Sequence, residues 1–183
     1  MRARDIPNLI SVGRIMLVFP VVWALIEERF VLALVLFAVA GVSDGLDGYL
    51  AKRYRWQSRL GGMLDPLADK LLLIATYFSL GWLGALPWWL VALVLLRDVV
   101  IVTGAVVYNF HVEVIQAAPT LISKANTFLQ ILLGLGAVVH LGVMALPEWV
   151  VGGLVVAVAL TTLASGVDYV VTWGAKARRH GHS

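Results

Sequence analysis

Long apolar stretches separated by short polar breaks dominate the chain. The first runs from about Leu9 to Ile26 and stops at Glu27-Glu28-Arg29. The second starts at Phe30, stays apolar to Val42 and continues past two aspartates to about Leu50. From Leu71 to Leu96 there is no charged residue, a run longer than the roughly 20 residues one membrane span needs. Gly81, Gly84 and Pro87 interrupt it, which predicts two helices meeting at a turn. The third helix then holds Pro66 in its first turn, and the fourth runs from Pro87 to about Tyr108 with proline in its first turn. After a polar stretch from His111 to Lys124, a fifth helix is predicted over about Leu121 to Ala145. Pro147 and Glu148 break the chain, and a sixth helix follows from Trp149 to about Trp173, with a polar tail expected to fray. Continuous apolarity rather than strict alternation predicts an all-α bundle of six transmembrane helices, not a barrel.

Composition agrees with a membrane protein. Of 183 residues, 61% are hydrophobic and 14% charged, where a soluble domain carries about 25% charged residues. The length suits one domain, residues 1–183. Cysteine is absent, which excludes disulfides and thiolate chemistry. The net charge of +3 matters less than its placement, and no nucleic-acid partner is expected. Arg2 and Arg4 precede the first helix. Lys52, Arg53, Arg55 and Arg59 lie between the second and third, Lys124 precedes the fifth, and Lys176, Arg178 and Arg179 follow the sixth. Every second connection is thus basic, which predicts both termini in the cytoplasm and the acidic ends of helices two and three on that side. The segment before the first span is read as a short interfacial piece. No signal or transit pattern precedes Ile6, which favours a bacterial inner membrane. Seven tryptophans, among them Trp88, Trp89 and Trp149, read as interfacial anchors.

One stretch does not fit a plain membrane bundle. SDGLDGYLAKRYRWQSRLGGMLDPLADK, Ser43 to Lys70, carries Asp44, Asp47, Asp65 and Asp69 at the ends of two apolar runs. Acids at membrane depth are costly and mark functional sites. Asp44 and Asp47 are three apart, Asp65 and Asp69 four apart, so on helices each pair shares a face. Two such helices packed together gather four carboxylates, whose repulsion one or two divalent cations would relieve. Hard oxygen donors without cysteine or nearby histidine favour Mg²⁺, Mn²⁺ or Ca²⁺ over zinc. Carboxylate-held cations beside Lys52, Arg53, Arg55 and Arg59 suggest phosphate chemistry. Gly41, Gly45 and Gly48 recur at helical spacing and permit close approach by a helix or ligand.

This stretch resembles the CDP-alcohol phosphatidyltransferases, whose signature is D-x2-D-G-x2-A-R-x8-G-x3-D-x3-D. It reads here as Asp44, Asp47-Gly48, Ala51-Lys52, Gly61, Asp65 and Asp69, with every spacing kept over 26 residues. The departure is Lys52 in place of the family's arginine; lysine keeps the charge but not the bidentate geometry. The resemblance implies transfer of a phosphatidyl group from a CDP-linked lipid to an alcohol, with release of CMP. It implies that Asp44, Asp47, Asp65 and Asp69 hold two divalent cations, Mg²⁺ or Mn²⁺, with Ca²⁺ bound in their place or inhibitory. It makes Asp69 the general base, and it sets Gly48, Lys52 and Gly61 along the CDP moiety, with Asn8 and Arg14 near the nucleotide or acceptor, interfacial anchoring being the competing reading of those two. Family members are often homodimers. IPNLISVGRI near the start looks like the opening of more than one branch. LLRDVVIVTGAVVY and PTLISKANTFLQ look like the eukaryotic-type, cardiolipin-forming branch. The branch that uses glycerol 3-phosphate usually carries a second arginine in helix four, and this chain has only Arg97-Asp98 there. The resemblance therefore implies CDP-diacylglycerol as donor and phosphatidylglycerol as acceptor, giving cardiolipin, with glycerol 3-phosphate as the alternative acceptor. Proton or cation transport is the rival class, but it predicts acids scattered at mid-depth rather than clustered at one end.

Outside the signature, Arg97, Lys124 and Arg53 are the candidates for acceptor or phosphate binding. Arg97 and Asp98 are adjacent on a helix and are not expected to face each other. His111, His140, His180 and His182 have no ligand spacing to the aspartates, and Asp168 has no assigned role.

Overall fold

The computed structural model describes the backbone of residues 6–54, 59–111 and 120–180. Within these, the side chains of residues 6–8, 47, 48, 50–52, 59–66, 102–111 and 170–180 lie outside the described set. The described chain is all-α, with six helices: α1 (Ile6–Ile26), α2 (Phe30–Tyr54), α3 (Arg59–Trp82), α4 (Trp88–His111), α5 (Leu121–Gly142) and α6 (Glu148–His180). Among the described residues three segments are long and apolar enough to cross a membrane: Leu9–Ile26, Leu121–Gly142 and Glu148–Tyr169. A shorter apolar stretch covers Phe30–Leu46 of α2.

Two helix ends close in the same way. At the end of α1, Arg29 N–H donates to the Ala24 carbonyl at 2.7 Å and Glu28 N–H to that of Leu25 at 3.0 Å. At the end of α3, Ala85 N–H donates to Leu80 and Gly84 N–H to Gly81, at 2.9 and 3.1 Å. This paired closure needs a left-handed residue, supplied by Gly84 with φ of 73° and by Glu28 with φ of 56°. After α5, the His140 Nδ1 accepts a bond from the Leu146 N–H at 2.9 Å.

Several boundaries differ from the sequence reading: α1 starts at Ile6 rather than Leu9, α2 ends at Tyr54 rather than Leu50, and α5 ends at Gly142 rather than Ala145. Pro87 is not inside the fourth helix but just before it, its carbonyl accepting from the Leu90 and Val91 N–H groups. Pro66 is not in the first turn of α3, because that helix already starts at Arg59; its missing N–H costs one interior rung instead. The tail does not fray after Trp173, since α6 runs on to His180 through alanine, lysine and arginine, which are good helix formers.

The residues fall into two compact units, 1–85 with 134–146 and 86–133 with 147–183. In the first unit α1 packs on both α2 and α3. Its buried residues include Val21, Ala24 and Leu25 on α1, Ala33 and Ala40 on α2, and Ala68, Tyr77 and Leu80 on α3. Alanine at four of these positions lets the backbones approach closely. The end of α5 also comes close: a Cβ added to Gly142 would lie 2.0 Å from the Phe30 Cβ.

In the second unit α4 packs on α6, and polar bonds tie its helices together. The Tyr169 hydroxyl on α6 donates to the Ile101 carbonyl on α4 at 2.9 Å. Thr161 and Thr162 on α6 each place their hydroxyl 2.9 Å from Asn126 Oδ1 on α5. Such bonds are the usual glue where lipid removes the hydrophobic drive between helices.

Candidate functional site

The first unit shows why two aspartates distant in sequence come together. On α1, Arg14 lies seven positions before Val21 and eleven before Leu25, both buried. On α2, Asp44 lies eleven after Ala33 and four after Ala40, and on α3, Asp69 lies seven before Thr76 and eleven before Leu80. Seven and eleven residues are near-whole numbers of turns, so each charge extends the buried stripe of its own helix. Packing α1 against α2 and α3 therefore brings the three charges to one point.

There Arg14 Nη1 donates to Asp44 Oδ1 at 2.6 Å and also to Asp69 Oδ1. The nitrogen carries two hydrogens, one for each carboxylate. The arginine side chain is 1% exposed, while those of Asp44 and Asp69 are 50% and 47% exposed. The cation lies beneath and the two acids open outward. Burial this deep sets aside an interfacial anchoring role for Arg14. Asp47 lies in α2 three residues after Asp44, and Asp65 in α3 four before Asp69; the side chains of both fall outside the described residues. The same holds for Asn8, Gly48, Lys52 and Gly61. Arg53 is described and exposed. Among the described residues no group of three or more histidines or acids gathers at metal-binding distance.

The second unit holds its own cluster. Arg97 Nη1 donates to Asp98 Oδ1 at 2.8 Å, and Nη2 lies 2.6 Å from Ser123 Oγ and 2.5 Å from Ser165 Oγ. The adjacent Arg97 and Asp98 thus do meet, against expectation, with the guanidinium shared between Asp98 on its own helix and serines on α5 and α6. Arg97 and Asp98 are both buried, and a Cβ on Gly166 would touch the Arg97 stem at 3.9 Å. That stem also lines a groove of about 350 Å³ with Leu93, Leu96, Val100, Thr162 and Val167. Lys124 follows Ser123 but points to the surface. Sequence reasoning missed Ser165, Asn126, Thr161, Thr162 and Tyr169. Their signal was present: a polar side chain inside an apolar span needs a partner.

Residues 4–173 match the model of the family described as CDP-alcohol phosphatidyltransferase. A Drosophila melanogaster protein named probable cardiolipin synthase (CMP-forming) is 35% identical over 91% of this chain and 56% of its own length. The Homo sapiens cardiolipin synthase (CMP-forming) is 38% identical over 70% of this chain and 48% of its own. A Mycobacterium tuberculosis protein named probable phosphatidylglycerophosphate synthase is 32% identical over 92% of this chain and 81% of its own. The chain spans about half the length of the first two relatives. With the family model matched over nearly its whole length, the chain belongs to the CDP-alcohol phosphatidyltransferase family.

Proposed function

We propose that this protein transfers a phosphatidyl group from CDP-diacylglycerol to phosphatidylglycerol, giving cardiolipin and CMP. The observation that carries the chemistry is the meeting of Asp44 and Asp69, from two helices, on one buried arginine nitrogen. The names of the Drosophila and human relatives favour phosphatidylglycerol as acceptor. The Mycobacterium relative supports a second reading, with glycerol 3-phosphate as acceptor. Family membership favours group transfer over ion transport.

Half-exposed carboxylate oxygens gathered around a single cationic nitrogen fit a hard divalent cation such as Mg²⁺ or Mn²⁺. Asp44 and Asp69 would hold it together with Asp47 and Asp65, and when bound such cations would offset charge on the donor pyrophosphate and the departing CMP. Asp69 accepts the proton of the acceptor hydroxyl. That oxygen forms a bond to the phosphorus bearing diacylglycerol, and the bond from this phosphorus to the CMP oxygen breaks. Gly48, Lys52, Gly61 and Asn8 line the donor, with the lysine offering its charge to a phosphate. Arg97, Lys124 and Arg53 are the cations available for the acceptor phosphate. For Arg97 that role requires exchanging its serine bonds for phosphate oxygens. The alternation of basic and non-basic connections supports six spans with both termini and the aspartates at the cytoplasmic face, which in this reading is that of a bacterial inner membrane, with residues 1–183 acting as one domain.

The test is CMP release by purified protein from CDP-diacylglycerol with Mg²⁺ or Mn²⁺ and either acceptor. CMP is expected with phosphatidylglycerol and not after chelation; release with glycerol 3-phosphate alone would move the assignment to the second reading. Asp69→Asn is expected to lower turnover by about 10²-fold or more, the usual scale for a lost general base, with an unchanged helical spectrum. Undiminished turnover in that variant removes Asp69 as base.

A further inference from the structure

The family resemblance groups Arg14 with residues near the nucleotide or acceptor, yet its described bonds go to the aspartates themselves. It is buried at 1% exposure in the stripe α1 turns towards α2 and α3. Both of its Nη1 contacts are to carboxylates, one from each neighbouring helix. A buried guanidinium without an anion is strongly unfavourable, and two unscreened carboxylates side by side are unfavourable too. The arrangement relieves both at once. It also orients the acids, since each Oδ1 is turned down onto the arginine while about half of each side chain remains open to the outside.

We infer that Arg14 is a positioning residue of the aspartate site: a built-in cation that holds Asp44 and Asp69 at one ion-binding point when no divalent cation is present. The inference rests on the reading of these aspartates as metal ligands. It assigns Arg14 a task distinct from contact with the nucleotide. Arginine suits that task better than lysine, because its planar head fixes the direction of both hydrogens while an ammonium rotates. Without Arg14 the two acids would repel, and a divalent cation would have to supply the missing positive charge. Metal would then become part of what holds α2 and α3 to α1, where in the wild type it adds only a little. By linkage, a ligand that binds only the folded state stabilises it by RT ln(1 + [L]/Kd), so the tighter Mn²⁺ binding expected without the competing guanidinium gives the larger rise in Tm.

The experiment compares Tm of the purified full chain after chelation and with Mn²⁺, for wild type, Arg14→Met and Arg14→Lys. Wild type should gain a few degrees from Mn²⁺. Arg14→Met should be destabilised after chelation and regain much of that loss with Mn²⁺, so that its Mn²⁺-induced rise clearly exceeds the wild-type rise; Arg14→Lys should fall between. If the methionine variant does not fold after chelation, the lysine variant decides: a larger Mn²⁺ rise than wild type supports the inference, an equal one overturns it. Parallel losses in Arg14→Met with and without Mn²⁺ mean a purely structural arginine and overturn the inference while leaving the metal reading intact. No Mn²⁺ effect on the wild type overturns the metal reading, and the inference with it.

Discussion

Replacing Arg97 by methionine removes the guanidinium that ties Asp98, Ser123 and Ser165 together. Breaking a buried ion pair from one side costs about 3–5 kcal/mol, because the remaining charge stays in a low-dielectric interior. Arg97→Met should therefore lower stability by about that much, and Arg97→Met with Asp98→Leu by clearly less, as thermal unfolding in detergent would show. An arginine whose main task is acceptor recognition would instead raise KM and leave Tm nearly unchanged. At this scale the sequence revealed the kinds of residue that matter but not their partners. Asp44, Asp69, Arg14 and Arg97 stand out because a charge in an apolar run is expensive. That Arg14 belongs to the aspartates, and Arg97 to two serines, depends on helix packing, which no spacing within a single helix encodes.

Helix ends behave by simpler rules, and two of them invite substitution. Glu28 closes α1 in the left-handed region, at φ of 56°. An L-residue with a side chain pays roughly 1–2 kcal/mol there, and glycine does not. Glu28→Gly should stabilise the folded chain by about 0.5–1 kcal/mol once glycine's greater chain entropy is subtracted, read as a higher Tm. Gly142 is the opposite case. Its missing side chain is what lets the end of α5 meet Phe30, and the nearest atom is a Cβ fixed to the α2 backbone. Gly142→Ala should cost about 1–3 kcal/mol through overpacking, with a matching fall in Tm. The proline and charge breaks marked the turns at Glu27–Arg29 and near Pro87 because those residues disrupt helices wherever they stand. The left-handed glutamate was not legible, since nothing in glutamate prefers that conformation. The start of α3 was missed because Pro66 read as a first-turn residue, whereas the helix already begins at Arg59 and passes through Gly61, Gly62 and Pro66.

For the molecule as a whole, the six-helix layout and the family were both readable from the sequence, because apolar run length and the aspartate spacing are local properties. The gathering of buried residues into two compact units was not, since it is set by contacts between helices remote in sequence. Topology can be tested directly, because the chain has no cysteine and single cysteines label cleanly. Cysteines placed at Arg53 and Lys124, both exposed, should react with an impermeant maleimide only from the cytoplasmic side. Those at Glu28 and Met144 should react only from the other side. Labelling of the Lys124 site from outside would remove the arrangement of six spans with both termini inside.

The length of α6 sets a dimension of its own. At 33 residues it measures about 50 Å, against roughly 30 Å for the hydrocarbon layer. Its described apolar span alone, Glu148–Tyr169, is 22 residues or about 33 Å long, already enough for one crossing. A crossing by α6 therefore requires the helix either to tilt or to carry its backbone about 20 Å past the hydrocarbon layer.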